Sequence, residues 1–226
     1  SREEVLDTYR MDMKKITISK WLKEVIDGVS PTEAVYIPNG IDNKVFSETI
    51  PYKNRGKHTL CTLFHWDERK GCDVSLKIIY KLKEHYPDFE AFLFGAPKRE
   101  NEWPEWIHYI EKAKPEEVAD TMNHARVFLC TSRQEGFGLT GLESIFCGCV
   151  LVTTDCRGIR EYASQKNAYL CGVDQEQELF ESICRAFDNE EESNSKRKNC
   201  IETRTRFDAN KSKRRFYEEI MSNLDH

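Results

Sequence analysis

The sequence lacks the long apolar runs and the leader-like start that mark membrane and exported proteins. It contains no run of about 18 apolar residues, the length that a membrane-spanning helix requires. The first fifteen residues, SREEVLDTYRMDMKK, are charged and do not resemble a signal peptide. An initiator Met is also missing, so we expect a fragment of a longer cytoplasmic protein.

An excess of positive charge is missing as well. The 34 Lys and Arg residues are outnumbered by 39 Asp and Glu residues, and the net charge of −5 excludes the basic footprint of a nucleic-acid-binding protein. The local exception is residues 196–215, where nine basic residues stand against two acids. A solvated helix face is the simpler interpretation of this segment. A peripheral contact with acidic lipids at the inner face of a membrane is the alternative.

Cysteine pairs at metal-site spacing are absent, although the sequence holds nine cysteines. Cys147 and Cys149 form a close pair, and no second pair follows at the spacing of a zinc site. Several other cysteines lie in apolar stretches, such as Cys130 in VFLC. We therefore expect buried, reduced thiols of a cytosolic protein and no bound metal.

Short apolar segments alternate with amphipathic ones from residue 51 onward. The pattern predicts strands at residues 59–64, 89–94, 107–110, 126–130, 149–153 and 168–171. It predicts helices at residues 72–86, 115–124, 138–147 and 176–187. This alternation indicates a parallel sheet covered by helices on both faces, so residues 51–226 are predicted to form one doubly wound, Rossmann-like α/β domain. Residues 1–50 are interpreted as the tail of another domain with a hinge, and the polar stretch 43–57 as a linker.

The most informative stretch is the glycine-rich turn in QEGFGLTGLES, which separates a strand from a helix. A tight loop before a helix leaves free N–H groups at the positive end of the helix dipole, and such groups bind anions. Glu135 and Glu143 flank the turn. Because a carboxylate can accept two hydrogen bonds from the vicinal hydroxyls of a ribose or hexose, the stretch predicts a site for a sugar, a phosphate and a ribose.

The same turn permits a second interpretation. Gly136, Gly138 and Gly141 satisfy the G-x-G-x-x-G pattern, and Asp155 ends the next strand, where a dinucleotide fold places its ribose-binding acid. This alternative is an NAD(P)-binding oxidoreductase domain. Against it, residues 131–135 separate the strand from the first glycine, and several strand–helix units precede a motif that usually follows the first strand. A lone pattern of this kind is a weak signal.

A longer set of motifs resembles one enzyme family. The block E-G-F-G-L-x-x-L-E at 135–143, its helix ending in Cys-Gly, the apolar strand and T-D-x-x-G-x-R-E resemble the E-x7-E region of family 4 retaining glycosyltransferases. VYIPNGIDNKVF at 35–46 resembles the family's hinge motif, Lys70-Gly71 its Lys-Gly loop, and NAYL at 167–170 a later segment. The resemblance covers about residues 8–220 and implies the C-terminal, donor-binding half of an enzyme with the GT-B fold.

The resemblance implies a role for each matching residue. Lys70 would neutralise the departing diphosphate and Glu135 would contact the transferred sugar, and these two are the candidate catalytic residues. Glu143 would hold the ribose of the donor. The other candidate donor-binding residues are His65, Arg69, Gly71, Phe137, Gly138 and Leu139, the last three through their backbone amides. The substrate would be a nucleoside diphosphate sugar, used without a metal or other cofactor, and the acceptor a glycan or lipid-linked glycan.

Three positions depart from the family pattern. Phe64-His65 stands where Gly-Arg is usual, Thr140 replaces a proline, and Gly95 is what remains of a glycine-rich turn. These departures weaken the expected grip on the phosphates, where His65 would act as a pH-dependent cation. The resemblance also places most of the acceptor domain outside this sequence. A nucleotide-binding module without catalysis therefore stays open beside the enzyme.

Overall fold

The computed structural model of the chain describes residues 2–98 and 103–222, and the predicted loop residues 99–102 lie outside these ranges. The strands are β1 (Ile16–Thr17), β2 (Val35–Tyr36), β3 (Thr59–Phe64), β4 (Glu90–Gly95), β5 (Ile107–Glu111), β6 (Val127–Cys130), β7 (Val150–Thr154) and β8 (Ala168–Cys171). The helices are α1 (Arg2–Arg10), α2 (Lys20–Asp27), α3 (Cys72–His85), α4 (Pro115–His124), α5 (Leu139–Phe146), α6 (Glu176–Asp188), α7 (Glu190–Arg206) and α8 (Ala209–Met221). Short 3-10 turns lie at Tyr52–Asn54, Glu68–Lys70 and Arg157–Glu161.

Six strands form one parallel sheet in the spatial order β5-β4-β3-β6-β7-β8. Counted from β3, this is the order 3-2-1-4-5-6 of a doubly wound sheet. The direction in which the chain crosses the sheet reverses between β3 and β6, where Leu60 pairs with Val127. The prediction of a doubly wound parallel α/β fold is therefore confirmed. Such sheets bind ligands in the crevice outside the carboxyl ends of the strands at this switch point.

Alternating side chains on the strands enter two apolar cores, one on each face of the sheet. In β6, Val127 and Leu129 enter the core that contains α3 and α6, whereas Phe128 and Cys130 enter the core that contains α4 and α5. All four are buried, as expected for a parallel sheet covered on both faces. Full burial of a large apolar side chain stabilises a fold by about 2 kcal/mol. The two cores therefore hold the strand ends, and the loops that follow them, in fixed positions.

β1, α2 and β2 form a small unit beside the six-stranded sheet. β1 and β2 pair in parallel, separately from the six-stranded sheet. The buried Glu161 carboxylate ties this unit down, because it accepts hydrogen bonds from the Lys20 backbone N–H at 2.5 Å and from the Tyr36 hydroxyl at 2.7 Å. Helix α8 also returns to the unit, where Arg215 donates to the Tyr36 carbonyl oxygen. The division into domains 1–50 and 51–226 stays a prediction.

The polar stretch 43–57 is not a free linker, which corrects the expectation from its composition. The Arg55 side chain in this stretch is fully enclosed. Its guanidinium donates hydrogen bonds to the carbonyl oxygens of Ile50, Ala125 and Cys147. A buried cation is tolerated only when its donors are satisfied. The carbonyl groups that satisfy Arg55 come largely from distant parts of the chain, so composition does not reveal them.

The cysteines are buried, as their apolar surroundings predict. Of the nine, only Cys184 is partly exposed, and all are free thiols. Burial raises the pKa of Cys130 and, together with the neighbouring Cys149 thiol, the pKa of Cys61. Thiols held in the protonated form are poor nucleophiles, so these side chains act as small apolar core residues. In the described ranges, no helix has the length and apolar character needed to cross a bilayer.

Candidate functional site

The predicted site residues follow the two strands at the switch point. The loop after β3 carries His65 and Lys70, and the loop after β6 leads through Glu135 to the start of α5. Glu143 lies in the second turn of that helix. Because the carboxyl ends of parallel strands meet at one edge of the sheet, Lys70 and Glu135 come together although 65 positions separate them in the sequence.

Lys70 is presented by the 3-10 turn Glu68–Lys70, which is fixed at both ends. At its start the Asp67 side chain accepts a hydrogen bond from the Arg69 N–H at 2.9 Å. At its end Gly71 adopts a left-handed backbone with φ of 62°. A side chain at Gly71 would collide with the carbonyl oxygen of Thr131 in the neighbouring loop. Glycine is therefore required by its backbone conformation and by the close contact between the two loops.

An ion pair joins the two loops. Lys70 Nζ lies 2.8 Å from Glu135 Oε1, and the Ser132 hydroxyl donates to the same oxygen at 2.7 Å. The Glu135 side chain is 11% exposed and the Lys70 side chain 30% exposed, so the pair is sheltered but reachable from solvent. In contact with a ligand, the cation can turn to a phosphate and the carboxylate to sugar hydroxyls. The structure thus brings the two predicted catalytic residues together.

The start of α5 presents several free backbone donors. Gly138 precedes the helix with φ of 82°, and within the described ranges no group accepts a hydrogen bond from the N–H of Phe137, Gly138 or Leu139. The Phe137 ring is buried, and the Tyr162 hydroxyl donates to the Gly138 carbonyl oxygen at 2.5 Å, which fixes the turn. Because free N–H groups at a helix N-terminus attract anions, this turn can bind phosphate or sugar oxygens.

The Glu143 carboxyl has an unusual environment for an acid. It is half-buried, and in the described part of the chain no protein group donates a hydrogen bond to it. Burial disfavours the charged form and raises the pKa of Glu143 from 4.5 to about 7. A carboxyl group without a protein partner is available to the hydroxyls of a ligand, and bonds to a ligand would offset its lost hydration.

Asp67 organises the other two predicted cations of the Lys70 loop. The Asp67 N–H donates to His65 Nδ1 at 2.9 Å, which leaves Nε2 as the N–H donor of the neutral ring. Arg69 donates to both oxygens of the Asp67 carboxylate, at 2.6 to 3.1 Å. These hydrogen bonds lower the pKa of Asp67 to about 2. The charge of Arg69 is therefore matched by a carboxylate of its own loop, whereas the charge of Lys70 is matched by Glu135 of the other loop.

A cavity of about 580 Å³ opens beside the ion pair. Its walls include Arg69 and Glu135 of the predicted site, together with Trp21 of α2 and the turn at residues 155–157. Trp21 Nε1 donates to the carbonyl oxygen of Gly136 at 3.1 Å. The small unit of β1, α2 and β2 therefore contacts the glycine turn directly, and its Trp21 lines this cavity.

Sequence reasoning missed three residues at this site. Ser132 holds the Glu135 carboxylate, Trp21 caps the glycine turn, and Tyr162 fixes the start of α5. Trp21 and Tyr162 come from other elements, so no local pattern indicates their roles. The two small residues Gly138 and Gly141 could have indicated Tyr162, because its hydroxyl occupies the space that a side chain at either position would need.

The switch point of this doubly wound parallel sheet carries the amides at the start of α5, a cation and two acids. This arrangement defines a nucleotide-binding α/β domain. Residues 57–189 match the family model described as Glycosyl transferases group 1. The chain belongs to this family, so the resemblance found in the sequence motifs is confirmed.

Relatives and solved structures agree with this assignment. A human phosphatidylinositol N-acetylglucosaminyltransferase subunit is 26% identical over 152 residues, which cover 63% of this chain and 31% of the relative. Anabaena HepE, solved with UDP and glucose, superposes with a TM-score of 0.79 at 17% identity, covering 98% of this chain and 66% of that one. The C-terminal domain of LpcC, a group 1 family protein from Francisella tularensis, superposes with a TM-score of 0.61 at 20% identity, covering 74% of this chain and 97% of that one.

These likenesses show the fold of the C-terminal half of GT-B glycosyltransferases. The chain spans about a third of the length of the human relative and half the length of an uncharacterized glycosyltransferase from Methanocaldococcus jannaschii.

Proposed function

We propose that the chain is the donor-binding part of a retaining glycosyltransferase and binds a nucleoside diphosphate sugar between β3 and β6. The observation that carries the proposal is the set of groups along this edge: the Lys70–Glu135 ion pair, and the amides of residues 137–139 and the Glu143 carboxyl, which have no hydrogen-bond partner among residues 2–98 and 103–222. They match a sugar, a diphosphate and a ribose in chemistry. Family membership and a solved neighbour that holds UDP and glucose support the same ligand class.

In this proposal each of the two acids binds a different part of the ligand. Glu143 accepts hydrogen bonds from the ribose hydroxyls, and Glu135 from the hydroxyls of the transferred sugar. Glu135 lines the cavity beside the ion pair and Glu143 does not, which supports separate sugar and ribose ends. The amides at the start of α5 lie between the two acids in the chain and would contact the phosphates.

Lys70 supplies the electrostatic part of the proposed chemistry. The bond between the anomeric carbon and the diphosphate oxygen breaks, and its electron pair leaves with the nucleoside diphosphate. The acceptor oxygen attacks the same face, and its proton passes to a departing phosphate oxygen, so configuration is retained. Lys70 Nζ stabilises the negative charge that develops on the leaving group. In the part of the chain that the structure describes, no three His, Cys, Asp or Glu side chains are grouped to hold a metal ion.

The structure disfavours the dinucleotide alternative at two points. β6 ends at Cys130 and α5 begins at Leu139, so the connection is longer than the tight turn of the oxidoreductase motif. Asp155, the ribose-binding acid of that alternative, is paired with Arg160 at 2.6 and 2.7 Å.

The nucleotide-binding module without catalysis remains the second candidate. The presence or absence of glycosyl transfer by the full-length gene product distinguishes it from the enzyme.

Thermal unfolding with a ligand panel tests the proposed function. The panel contains UDP, GDP, dTDP, their common sugar conjugates and NADH. We expect one nucleoside diphosphate and its sugar to raise the melting temperature, because ligands that bind only the folded state stabilise it. Stabilisation by NADH alone would overturn the proposal.

Two variants test the division of labour between the acids. Glu143→Ala should weaken binding of the nucleoside diphosphate and of its sugar conjugate alike. Glu135→Ala should weaken binding of the sugar conjugate and leave the bare nucleoside diphosphate nearly unaffected. An equal loss for both ligands in the Glu135 variant would contradict the assignment of Glu135 to the sugar.

For the acceptor we propose a glycan or a lipid-linked glycan. The human relative carries phosphatidylinositol in its name, which supports the lipid-linked class. A cytoplasmic location of this chain, at the inner face of a membrane, remains part of the proposal.

Fewer basic side chains of residues 196–215 are available for membrane contact than the sequence suggests. Five of the nine basic residues donate hydrogen bonds to backbone carbonyl groups, namely Lys196, Arg197, Arg204, Lys211 and Arg215. Lys213 and Arg214 of α8 remain exposed. Cosedimentation with phosphatidylserine vesicles, compared between the natural chain and a variant with Glu at both exposed positions, tests the contact. Equal cosedimentation would argue against it.

A further inference from the structure

Arg133 lies between the two loops of the proposed donor site. Its Nη1 donates to the Glu68 carbonyl oxygen at 2.6 Å. Nη1 and Nη2 together bind the Asp73 carboxylate at 3.0 and 2.9 Å. Nε donates to Asp174 Oδ1 at 2.8 Å. One guanidinium therefore connects the Lys70 turn, the first turn of α3 and the loop after β8.

The backbone around Arg133 joins the same two loops. The Arg133 N–H donates to the Arg69 carbonyl oxygen at 2.7 Å, and the Thr131 hydroxyl donates to the Lys70 carbonyl oxygen at 3.2 Å. None of these bonds uses Lys70 Nζ or the Glu135 carboxylate. They can therefore persist when both of those groups turn to a ligand.

The loop after β8 depends on the same contact. Asp174 has a left-handed backbone with φ of 58°. Asp adopts this conformation more readily than most residues do, but it is held there only when surrounding contacts favour it. The pair with Arg133 is one such contact, and it places Asp174 within the cluster that also holds the Lys70 turn.

A bound diphosphate changes what holds the loops together. Without ligand, the ion pair of Lys70 with Glu135 bridges them at 2.8 Å. A diphosphate competes with Glu135 for the Lys70 ammonium, so that bridge opens when the ligand binds. The spacing of the two loops then depends on the backbone bonds and on Arg133.

We propose that Arg133 is a positioning residue, which fixes the distance between Lys70 and the free amides at the start of α5 so that a diphosphate can bridge them. This inference rests on the proposed function. A nucleoside monophosphate provides a contrast, because Glu143 and the α5 amides can hold its ribose and single phosphate without Lys70. The Arg133 side chain should therefore affect the binding of a nucleoside diphosphate and not that of a nucleoside monophosphate.

Calorimetric titration of the full chain at 10 °C with UDP and with UMP tests the inference; GDP and GMP replace them if the ligand panel selects guanine. Arg133→Ala should weaken UDP binding about tenfold, equivalent to about 1.4 kcal/mol, and change UMP binding less than twofold. Arg133→Lys should not restore UDP binding, because one ammonium cannot reach Glu68, Asp73 and Asp174 together. Unchanged UDP binding, or equal losses for UDP and UMP, would overturn the proposal.

Arg185→Ala is the matched control. Arg185 forms an exposed ion pair with Glu192 at 2.6 Å on α6 and α7, and its loss should leave both affinities unchanged. If circular dichroism shows that Arg133→Ala is unfolded, Asp174→Asn carries the test. Asn tolerates a positive φ and removes the charge of the pair with Arg133, which weakens that contact, so UDP binding should fall about threefold with UMP binding unchanged. A natural chain that binds no nucleotide would refute the proposed function, whereas variants that bind like the natural chain would refute only the role of Arg133.

Discussion

Replacing Glu143 with Gln should stabilise the unliganded protein at alkaline pH. Burial raises the pKa of Glu143 from 4.5 to about 7, so the folded state binds this proton more tightly than the unfolded state does. The stability that the group contributes is complete below pH 4.5 and is lost as the pH rises through 7. The folded protein therefore loses roughly 2–3 kcal/mol of stability from this group between pH 5 and pH 8.

Urea denaturation followed by circular dichroism at pH 5 and pH 8 measures this effect. The difference in unfolding free energy between Glu143→Gln and the natural chain should become more favourable to the variant by roughly 2–3 kcal/mol from pH 5 to pH 8. For a chain of this size that corresponds to roughly 5–10 °C in melting temperature. Glu202→Gln, at an exposed position of α7, is the control and should follow the natural chain at both pH values. Parallel pH profiles for Glu143→Gln and the natural chain would refute the reasoning.

The same substitution should weaken nucleotide binding. A ribose bound through two hydroxyl donors requires the charged carboxylate. Binding to the natural chain should therefore weaken as the pH falls below 7, and the Gln variant should lack this component of the pH dependence. Gained stability with lost binding is the combination expected where a half-buried acid is kept for a ligand.

Three further perturbations follow from the packing. Gly138→Ala should lower the unfolding free energy by about 1–3 kcal/mol and reduce nucleotide binding, because φ is 82° and a side chain would collide with Ile159. Urea unfolding measures the stability and calorimetry the binding, and values like those of the natural chain would contradict the prediction. Arg55→Ala should cost about 3 kcal/mol or more in urea unfolding, because several buried carbonyl groups lose their donor, and a loss below about 1 kcal/mol would contradict the packing. Tyr36→Phe should speed hydrogen exchange in β1 and β2 while the main sheet stays protected, because the Glu161 anchor loses one bond of about 1 kcal/mol; uniform exchange would argue against a separate anchor.

Much of the fold could be predicted because its signals are local. Strand and helix periods, the Pro at the start of α4 and the Gly before α5 act over a few residues, and the observed elements follow them closely. The alternation of buried side chains in β6 and β7 left little choice but a sheet covered on both faces. The stretch 43–57 was wrongly expected to be a linker, because most of the carbonyl groups that enclose Arg55 lie 67 and more positions away.

The sequence proposes members for the candidate site but not their geometry. Glu135, Glu143 and Lys70 stood out through the motifs that they share with the glycosyltransferase family. That Lys70 pairs with Glu135 at 2.8 Å could not be inferred, because the pairing depends on the neighbouring positions of β3 and β6 in the sheet. Arg133 gave no clear signal for the same reason, since the two acids it pairs with are 60 and 41 positions away.

The order of amino acids settles which residues can turn tightly, which faces are apolar, and which acids and cations are available. Gly71 and Gly138 are determined in this way, because steric limits on the backbone are properties of single residues. Folding settles which of these groups are charged, paired or free. Closure of the sheet withdraws Glu143 from water and raises its pKa, and it gives Lys70 a carboxylate partner, because burial and ion pairing arise only when distant strands become neighbours.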